Sequence, residues 1–105
     1  MMETDRPTAA REETFLLQAL SHPNRLTILR LLATHSPDMS VEELTAHLCI
    51  KQPTTSFHLR LLRHAGLVEM RKQGLHSLYC VRPERLRQAI AVIEEIIVDE
   101  EVRRA

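Results

Sequence analysis

The stretch from Lys51 to His58 holds the side chains of this sequence that are best suited to recognition chemistry. It reads Lys-Gln-Pro-Thr-Thr-Ser-Phe-His, so an amide and small hydroxyl groups follow a lysine. Such groups donate and accept hydrogen bonds with little bulk, which suits contact with base edges in a DNA groove. Pro53 favours the first turn of a helix, and the positive end of a helix attracts phosphate. The stretch therefore predicts the leading end of a helix that meets an anion.

Charge is distributed unevenly, although the chain of 105 residues has a formal net charge of zero. Residues 51–87 hold eight basic and two acidic side chains, a balance of +6, and the segments on either side carry −3 each. A basic middle between acidic ends favours a localised anionic partner. Solvated charge on ordinary helix faces is the alternative explanation.

Composition excludes several classes of protein. Hydrophobic residues make up 44% of the chain and charged residues 27%, which predicts one globular domain, and only two glycines favour helices. Two cysteines cannot build a disulfide scaffold, so a reducing cytoplasm is the expected location. Signal-peptide and membrane-spanning patterns are absent, and no membrane partner is expected. The sequence lacks a glycine-rich phosphate loop, a paired-carboxylate motif and a nucleophile–base motif, so neither an enzyme nor a cofactor is predicted.

Apolar spacing and capping signals predict five helices and a hairpin, in a domain over residues 8–105 that follows a disordered tail over 1–7. The first helix covers 8–20, and the second begins after a Ser21 cap and ends in a loop over 34–38. A capping box from Ser40 to Glu43 begins a short third helix. Pro53 opens the fourth helix, whose core stripe is predicted to be Thr55, Leu59 and Leu62.

The second half of the chain predicts a hairpin and a last helix. Gly66 is expected to end the fourth helix in a left-handed conformation. Strands over 67–72 and 76–81 then flank Gly74, and Pro83 begins the fifth helix. The apolar face of that helix is wider than one small domain needs, so left unpaired it would be an exposed patch. The predicted fold is mostly α with a small β-hairpin wing (α+β), the winged helix-turn-helix arrangement, which binds double-stranded DNA.

Three segments resemble the ArsR/SmtB family of bacterial repressors. Residues 19–29 are similar to its second helix, residues 56–68 to its recognition helix, and residues 71–76, with Tyr79 beyond them, to its wing. The resemblance implies a transcriptional repressor that forms a homodimer through its first and last helices. It also implies a palindromic operator and release by an inducer, which can be a small molecule, a redox signal or a metal.

The resemblance also assigns site residues by position. Base-edge readers are expected at Gln52, Thr54, Ser56 and Phe57. Phosphate contacts are expected at Lys51, Arg60, Arg71 and Lys72, and the full predicted DNA set adds His58, Gln73 and His76. Phe57 departs from the histidine common at this position, so a thymine methyl contact is its available chemistry, and packing against the wing is the alternative. The predicted dimer interface is Phe15, Leu16, Leu86, Ile90, Ile93 and Ile97.

The metal sites usual in that family are absent from this sequence, so no metal is predicted. The third helix offers only His47 where a cysteine cluster would stand, and residues 82–105 contain no histidine. Thiol sensing of oxidants or soft metals through Cys49 and Cys80 remains an alternative, with Cys49 favoured if only one cysteine acts. A winged-helix protein-interaction module without DNA binding is the other alternative.

Overall fold

The computed structural model describes residues 2–35 and 38–105, with side chains described from Arg11 onward. The chain order is α1 Met2–Leu20, α2 Pro23–Thr34, β1 Met39–Ser40, α3 Val41–Leu48, α4 Gln52–His64, β2 Val68–Gln73, β3 His76–Val81 and α5 Pro83–Arg104. The five predicted helices and the hairpin are confirmed. Residues 36 and 37 of the predicted 34–38 loop lie outside the described residues, as does Met1 of the predicted tail.

Helix α1 begins earlier than the predicted start at residue 8. Its backbone is helical over Met2–Leu20. The prediction depended on apolar periodicity, which begins only at Ala9, whereas a helix can continue beyond the stretch that packs. The boundary between a disordered tail over 1–7 and a domain over 8–105 stays a prediction.

The predicted hairpin belongs to a sheet of three antiparallel strands in the order β1-β3-β2. The short strand β1 pairs Met39 with Tyr79 and Ser40 with Leu78. Sequence reasoning missed β1 because two residues are too short for an alternating pattern to be visible. The added strand fixes the hairpin to the chain just before α3, so the wing does not depend on one pairing alone.

The caps of the helices are set by local side chains. The capping box that begins α3 is confirmed, since the Glu43 N–H donates to Ser40 Oγ at 3.2 Å and Glu43 Oε1 accepts from the Ser40 N–H at 2.9 Å. The predicted Ser21 cap of α2 is wrong. His22 is the cap and its Nδ1 accepts from the Asn24 N–H at 3.0 Å, while Ser21 Oγ donates back to the Gln18 carbonyl of α1.

The exit from α4 sets where the wing begins. Gly66 has φ +75°, as predicted for a left-handed C-terminal glycine. Its N–H donates to the Arg63 carbonyl and the Leu67 N–H donates to the Leu62 carbonyl, both at 2.9 Å. These two bonds form a Schellman motif, and Leu62 and Leu67 are both fully buried beneath it. The core that contains them also holds Ile28, Leu44 and Leu59.

Candidate nucleic-acid interface

Helix α4 is fixed in the core along one face. Thr55, Leu59 and Leu62 are essentially unexposed, which confirms the predicted stripe. Thr45 Oγ1 of α3 donates to Thr55 Oγ1 at 2.9 Å, so the buried hydroxyl is satisfied. This hydrogen bond and the two leucines fix the angle between α3 and α4, as a helix-turn-helix pair requires.

The opposite face of α4 is polar and open to solvent. Gln52, Thr54, Phe57 and Arg60 are exposed, and Ser56 is half-buried at the margin. Phe57 and Arg60 lie on the side of the helix that faces away from the core stripe, because each residue advances the helix by about 100°, and Gln52 and Thr54 are exposed in its first turn. The structure therefore exposes four of the predicted DNA residues along α4.

The first turn of α4 has no side-chain cap. Lys51 is the N-cap and makes no side-chain capping bond. Its carbonyl accepts from the Thr54 and Thr55 N–H groups at 3.0 and 3.2 Å, and Pro53 has no N–H to satisfy. The positive end of a thirteen-residue helix is thus presented to solvent beside the Lys51 ammonium, an arrangement that attracts phosphate.

His58 does not belong to this surface. It is only 4% exposed, so the prediction that it contacts DNA is wrong. Its Nδ1 lies 3.3 Å from Arg25 Nη1, and its ring centroid is 4.6 Å from that of His22. Position 58 is three residues after Thr55 and four before Leu62, so helical spacing places it on the buried face. Burial, followed by the charges of His22 and Arg25, lowers the pKa of His58.

The wing presents polar and apolar side chains at its tip. Lys72, Gln73 and His76 are exposed around the turn, as predicted. Gly74 has φ +63° at the first central position, which suits a two-residue hairpin turn. Leu75 beside it is fully exposed, and sequence reasoning missed it as a surface residue. An apolar residue within a hairpin turn is the signal that could have identified it.

Arg71 is engaged within the protein. Its guanidinium forms an ion pair with Asp38, in the segment before β1. The hydrogen bond to Asp38, reinforced by its charge, raises the pKa of Arg71. The Arg71 side chain remains 64% exposed, so it lies at the surface but its charge is shared.

The two cysteines lie on different elements. Cys49 is exposed at the C-cap of α3, and its thiol donates only a long bond of 3.8 Å to the Ala46 carbonyl. Cys80 is half-buried on β3, 3.6 Å from Glu69 Oε1. Burial, then the charge of Asp38 and the bond to Glu69, raise the pKa of Cys80, so its thiolate is disfavoured. Within residues 2–35 and 38–105, no cluster of three or more histidine, cysteine or acidic residues could hold a metal.

A strip of apolar side chains runs along α5 beside α1. Ile90, Ile93 and Ile97 are 54%, 48% and 50% exposed, and Phe15 of α1 is also exposed. Leu16 is buried in the protomer, and Leu86 is half-buried and packs against the core, so both residues contribute to packing within one chain. Phe15 and Leu16 are about 100° apart on α1, so when Leu16 faces the core Phe15 faces outward.

Membrane insertion through a helix finds no support in the described part of the chain, where no helix has both the length and the apolar character that a crossing needs.

Comparisons with known proteins agree with this geometry. The family model for bacterial regulatory proteins of the arsR family matches residues 22–70. The HTH-type transcriptional regulator YgaV of Escherichia coli is 34% identical over 88 residues, which are 84% of this chain and 88% of the relative. The biofilm growth-associated repressor of Xylella fastidiosa is 33% identical over 101 residues, 96% of this chain and 87% of the relative.

Solved structures share the fold. An ArsR-like transcriptional regulator from Rhodococcus superposes with a TM-score of 0.82 at 26% identity, over 98% of this chain and 88% of the other. A homodimeric winged helix-turn-helix DNA-binding domain from Mycobacterium bovis gives a TM-score of 0.72 at 26% identity, over 96% of this chain and 91% of the other. Together with the two-sided recognition helix and the wing, these matches place the chain in the arsR family of bacterial regulatory proteins.

Proposed function

We propose that this chain is a transcriptional repressor that binds duplex operator DNA as a homodimer, with α4 of each protomer in the major groove. The observation that carries the proposal is the two-sided character of α4. Thr55 and Leu59 hold it in the core while Gln52, Thr54 and Arg60 are presented outward. The major groove accepts one α-helix, and the leading residues of that helix meet base edges.

The phosphate contacts are assigned to basic side chains around that polar face. Lys51, Arg60 and Lys72 form no ion pair with any described carboxylate, so their charge is available to an outside anion. Arg71 is a weaker candidate, because a phosphate would have to compete with Asp38. Gln73 and His76 are exposed near the tip of the wing and are assigned to the neighbouring backbone.

The dimer is assigned to the strip formed by Phe15, Ile90, Ile93 and Ile97. The Mycobacterium bovis neighbour is described as homodimeric, and the exposed apolar strip of this chain lies on α1 and α5, the two helices predicted to form the interface. A two-fold dimer places its recognition helices about 34 Å apart, one turn of the duplex. Repression is favoured over activation because the Xylella relative, which matches 96% of this chain, is a repressor.

The salt dependence of duplex binding tests the function. Log affinity for DNA from the region upstream of its own coding sequence should fall with log salt, with a slope near −0.9 for each phosphate neutralised. Lys72→Ala and Arg60→Ala should each make the slope shallower by about 0.9 and weaken all sequences alike. Arg103→Ala is the matched control, because Arg103 pairs with Glu100 near the far end of α5. A flat salt response in the parent protein would support a protein-interaction module instead.

Base reading is tested separately at Gln52. Gln52→Ala should relax preference at one base pair, at a cost of about 1–3 kcal/mol for the preferred base, and leave the salt slope unchanged. The measurement is affinity across a set of operators with single substitutions. If Gln52→Ala instead weakens binding to every operator equally, Gln52 makes a contact that does not depend on sequence and does not read a base.

Release by an inducer is part of the proposal, and the structure disfavours a thiol route for it. The neighbours of Cys80 favour its protonated form, and Cys49 has no cationic group among its hydrogen-bond contacts. We expect the complex of Cys49→Ser, Cys80→Ser protein with DNA to retain any response to metals, oxidants or sulfide donors that the parent protein has. Loss of the response in that variant would reinstate thiol sensing.

A further inference from the structure

Arg25 joins three helices through one guanidinium. Its Nε donates to the Ala19 carbonyl at 2.8 Å and its Nη2 to the Gln18 carbonyl at 3.1 Å, both at the end of α1. Its Nη1 lies 3.3 Å from His58 Nδ1 on α4. Since an arginine side chain can only donate, Nδ1 of His58 must accept, which fixes the proton of the neutral imidazole on Nε2.

His22, at the start of α2, is the third member of this cluster. We call the cluster of Arg25, His58 and His22 the Arg25 joint. Its Nδ1 accepts from the Asn24 N–H at 3.0 Å, and its ring packs against His58 with centroids 4.6 Å apart. Both imidazoles therefore use Nδ1 as an acceptor. A protonated imidazole has two donors and no acceptor, so protonation of either ring removes one of these bonds.

We propose that Arg25 and His58 are positioning residues for DNA reading, which lock the recognition helix α4 to the end of the dimerisation helix α1. The inference rests on the proposed function. In a dimer built on α1 and α5, the separation of the two α4 helices depends on how firmly each is held to α1. The core stripe holds α4 against α3, and the Arg25 joint is the polar connection that ties α4 to α1 by way of α2.

The contacts of Arg25 distinguish positioning from phosphate binding. All three of its hydrogen bonds point into the protein, and its side chain is half-buried rather than exposed. Removing a phosphate contact makes the salt slope of binding shallower, whereas loosening the pose of α4 lowers affinity and leaves the slope unchanged. The two roles therefore give different measurements.

The joint also predicts a response to acid. The charged groups that shift the titration of His58 are His22 and Arg25, and both are basic. Burial and these two neighbours lower the pKa of His58 in the folded protein. Stability from the neutral ring is therefore present above the ordinary histidine pKa and is lost as pH falls below it. We expect the joint to be closed at neutral pH and to open in acid.

The first experiment compares Arg25→Met and Arg25→Lys with the parent protein in duplex binding by fluorescence anisotropy. Arg25→Met should lower affinity about tenfold or more with an unchanged salt slope, because charge-assisted hydrogen bonds are lost. Arg25→Lys should also lose affinity, since an ammonium cannot span the same three acceptors. A slope made shallower by about 0.9 in Arg25→Met, or an unchanged affinity, would overturn the proposal.

The second experiment uses pH and needs no change at Arg25. His58→Asn keeps an acceptor close to the position of Nδ1 but cannot be protonated in this range. The ratio of parent to His58→Asn affinity should fall severalfold between pH 7.5 and about pH 5.5. His64→Asn is the matched control, because His64 is exposed on the same helix. This variant should lose DNA affinity in acid as the parent protein does. Parallel pH profiles for the parent and His58→Asn would contradict the proposal.

Amide hydrogen exchange in the free protein separates failure of the joint from failure of the proposed function. The amides of Thr55 to Leu59 should exchange faster in His58→Leu than in His58→Asn, because only the asparagine keeps an acceptor for Arg25. If the parent protein binds no duplex, the proposed function fails, and amide exchange alone then tests whether Arg25 and His58 hold α4 in place. Equal exchange rates in the two variants would overturn that positioning role.

Discussion

Phe57 exposes 48% of its surface on the outward face of α4, beside the polar readers. Its ring is tilted against that of the buried His58, with ring centroids 5.9 Å apart. An exposed aromatic ring cannot hydrogen-bond a base edge, but it can cover the methyl group of thymine. The predicted alternative, packing against the wing, would leave less of the ring in solvent.

Replacing one thymine of the operator by uracil tests this contact, because only the methyl group is removed. We expect parent affinity to fall about three- to fivefold at the contacted position, which corresponds to roughly 0.8 kcal/mol for one buried carbon. The affinity of Phe57→Ala should not respond to the same substitution. The measurement is a double cycle of protein and DNA variants by anisotropy. Equal losses with both proteins would place the methyl group against another residue.

Cys49 is a non-glycine residue in the left-handed region, with φ 56° and ψ 40°. That conformation costs about 1–2 kcal/mol for a residue with a Cβ, and glycine avoids the cost while gaining chain entropy when unfolded. Cys49→Gly should therefore raise the free energy of unfolding by about 0.5–1 kcal/mol, measured by urea denaturation. Cys49→Val is the contrasting variant and should lower it. A loss of stability in Cys49→Gly would give the thiol a structural role.

Helical spacing predicted from the sequence which side of α4 is exposed, and the assignment of its residues to DNA stays a prediction. Phe57 and Arg60 are exposed as expected, because the core stripe leaves their side of α4 open, and Gln52 and Thr54 are exposed in the first turn. His58 was assigned to the DNA surface by its position in the resembling segment, not by its helical spacing. The local spacing does predict its burial, but its hydrogen bond with Arg25, thirty-three positions earlier, has no local pattern.

At the scale of elements, the junction between α4 and the wing depends on Gly66. Its φ of +75° lies where L side chains are rarely found, and a Cβ there would come 3.0 Å from Arg85 Nε. Gly66→Ala should lower the free energy of unfolding by about 1–2 kcal/mol in urea denaturation, chiefly through backbone strain. Gly66→Asn should cost less, because asparagine tolerates this conformation better. Equal costs for the two variants would assign the effect to the clash with Arg85.

Features of the fold that depend on local signals could be predicted from the sequence, and two other features could not. Gly66, Gly74 and the Ser40–Glu43 capping box are local signals, and each lies where the pattern placed it. The strand β1 was missed because tertiary pairing decides it, and the His22 cap was missed because two capping side chains stand next to each other. Ser21 is an ordinary capping residue, but its hydroxyl is used to close α1, which leaves the cap of α2 to an imidazole.

At the scale of the whole molecule, α5 extends the protein into an elongated shape of 53 × 29 × 22 Å. Only Ala89 of this 22-residue helix is buried in the protomer. The width of its apolar face was visible in the sequence, but the division between core and interface was not. Leu16 is buried and Leu86 is half-buried because α1 and α5 pack on each other within one chain.

Ile93→Glu tests whether the strip of Phe15, Ile90, Ile93 and Ile97 joins two protomers. A carboxylate buried in an apolar interface without a partner is strongly unfavourable, so the variant should be a monomer in light scattering. Its DNA affinity should fall because dimerisation is lost, so that two half-sites are no longer bound by one particle. Val102→Glu is the matched control, since it adds the same charge to an exposed position about 150° around α5 from the centre of the strip.

The two variants together separate loss of the interface from a general effect of charge on α5. Ile93 is already 48% exposed in the protomer, so its replacement should leave the fold of the monomer intact by circular dichroism. If Ile93→Glu stays dimeric while Val102→Glu dissociates, the interface lies on the other face of α5. The two α4 helices would then be placed differently, and operators with half-sites one turn apart would no longer be the expected target.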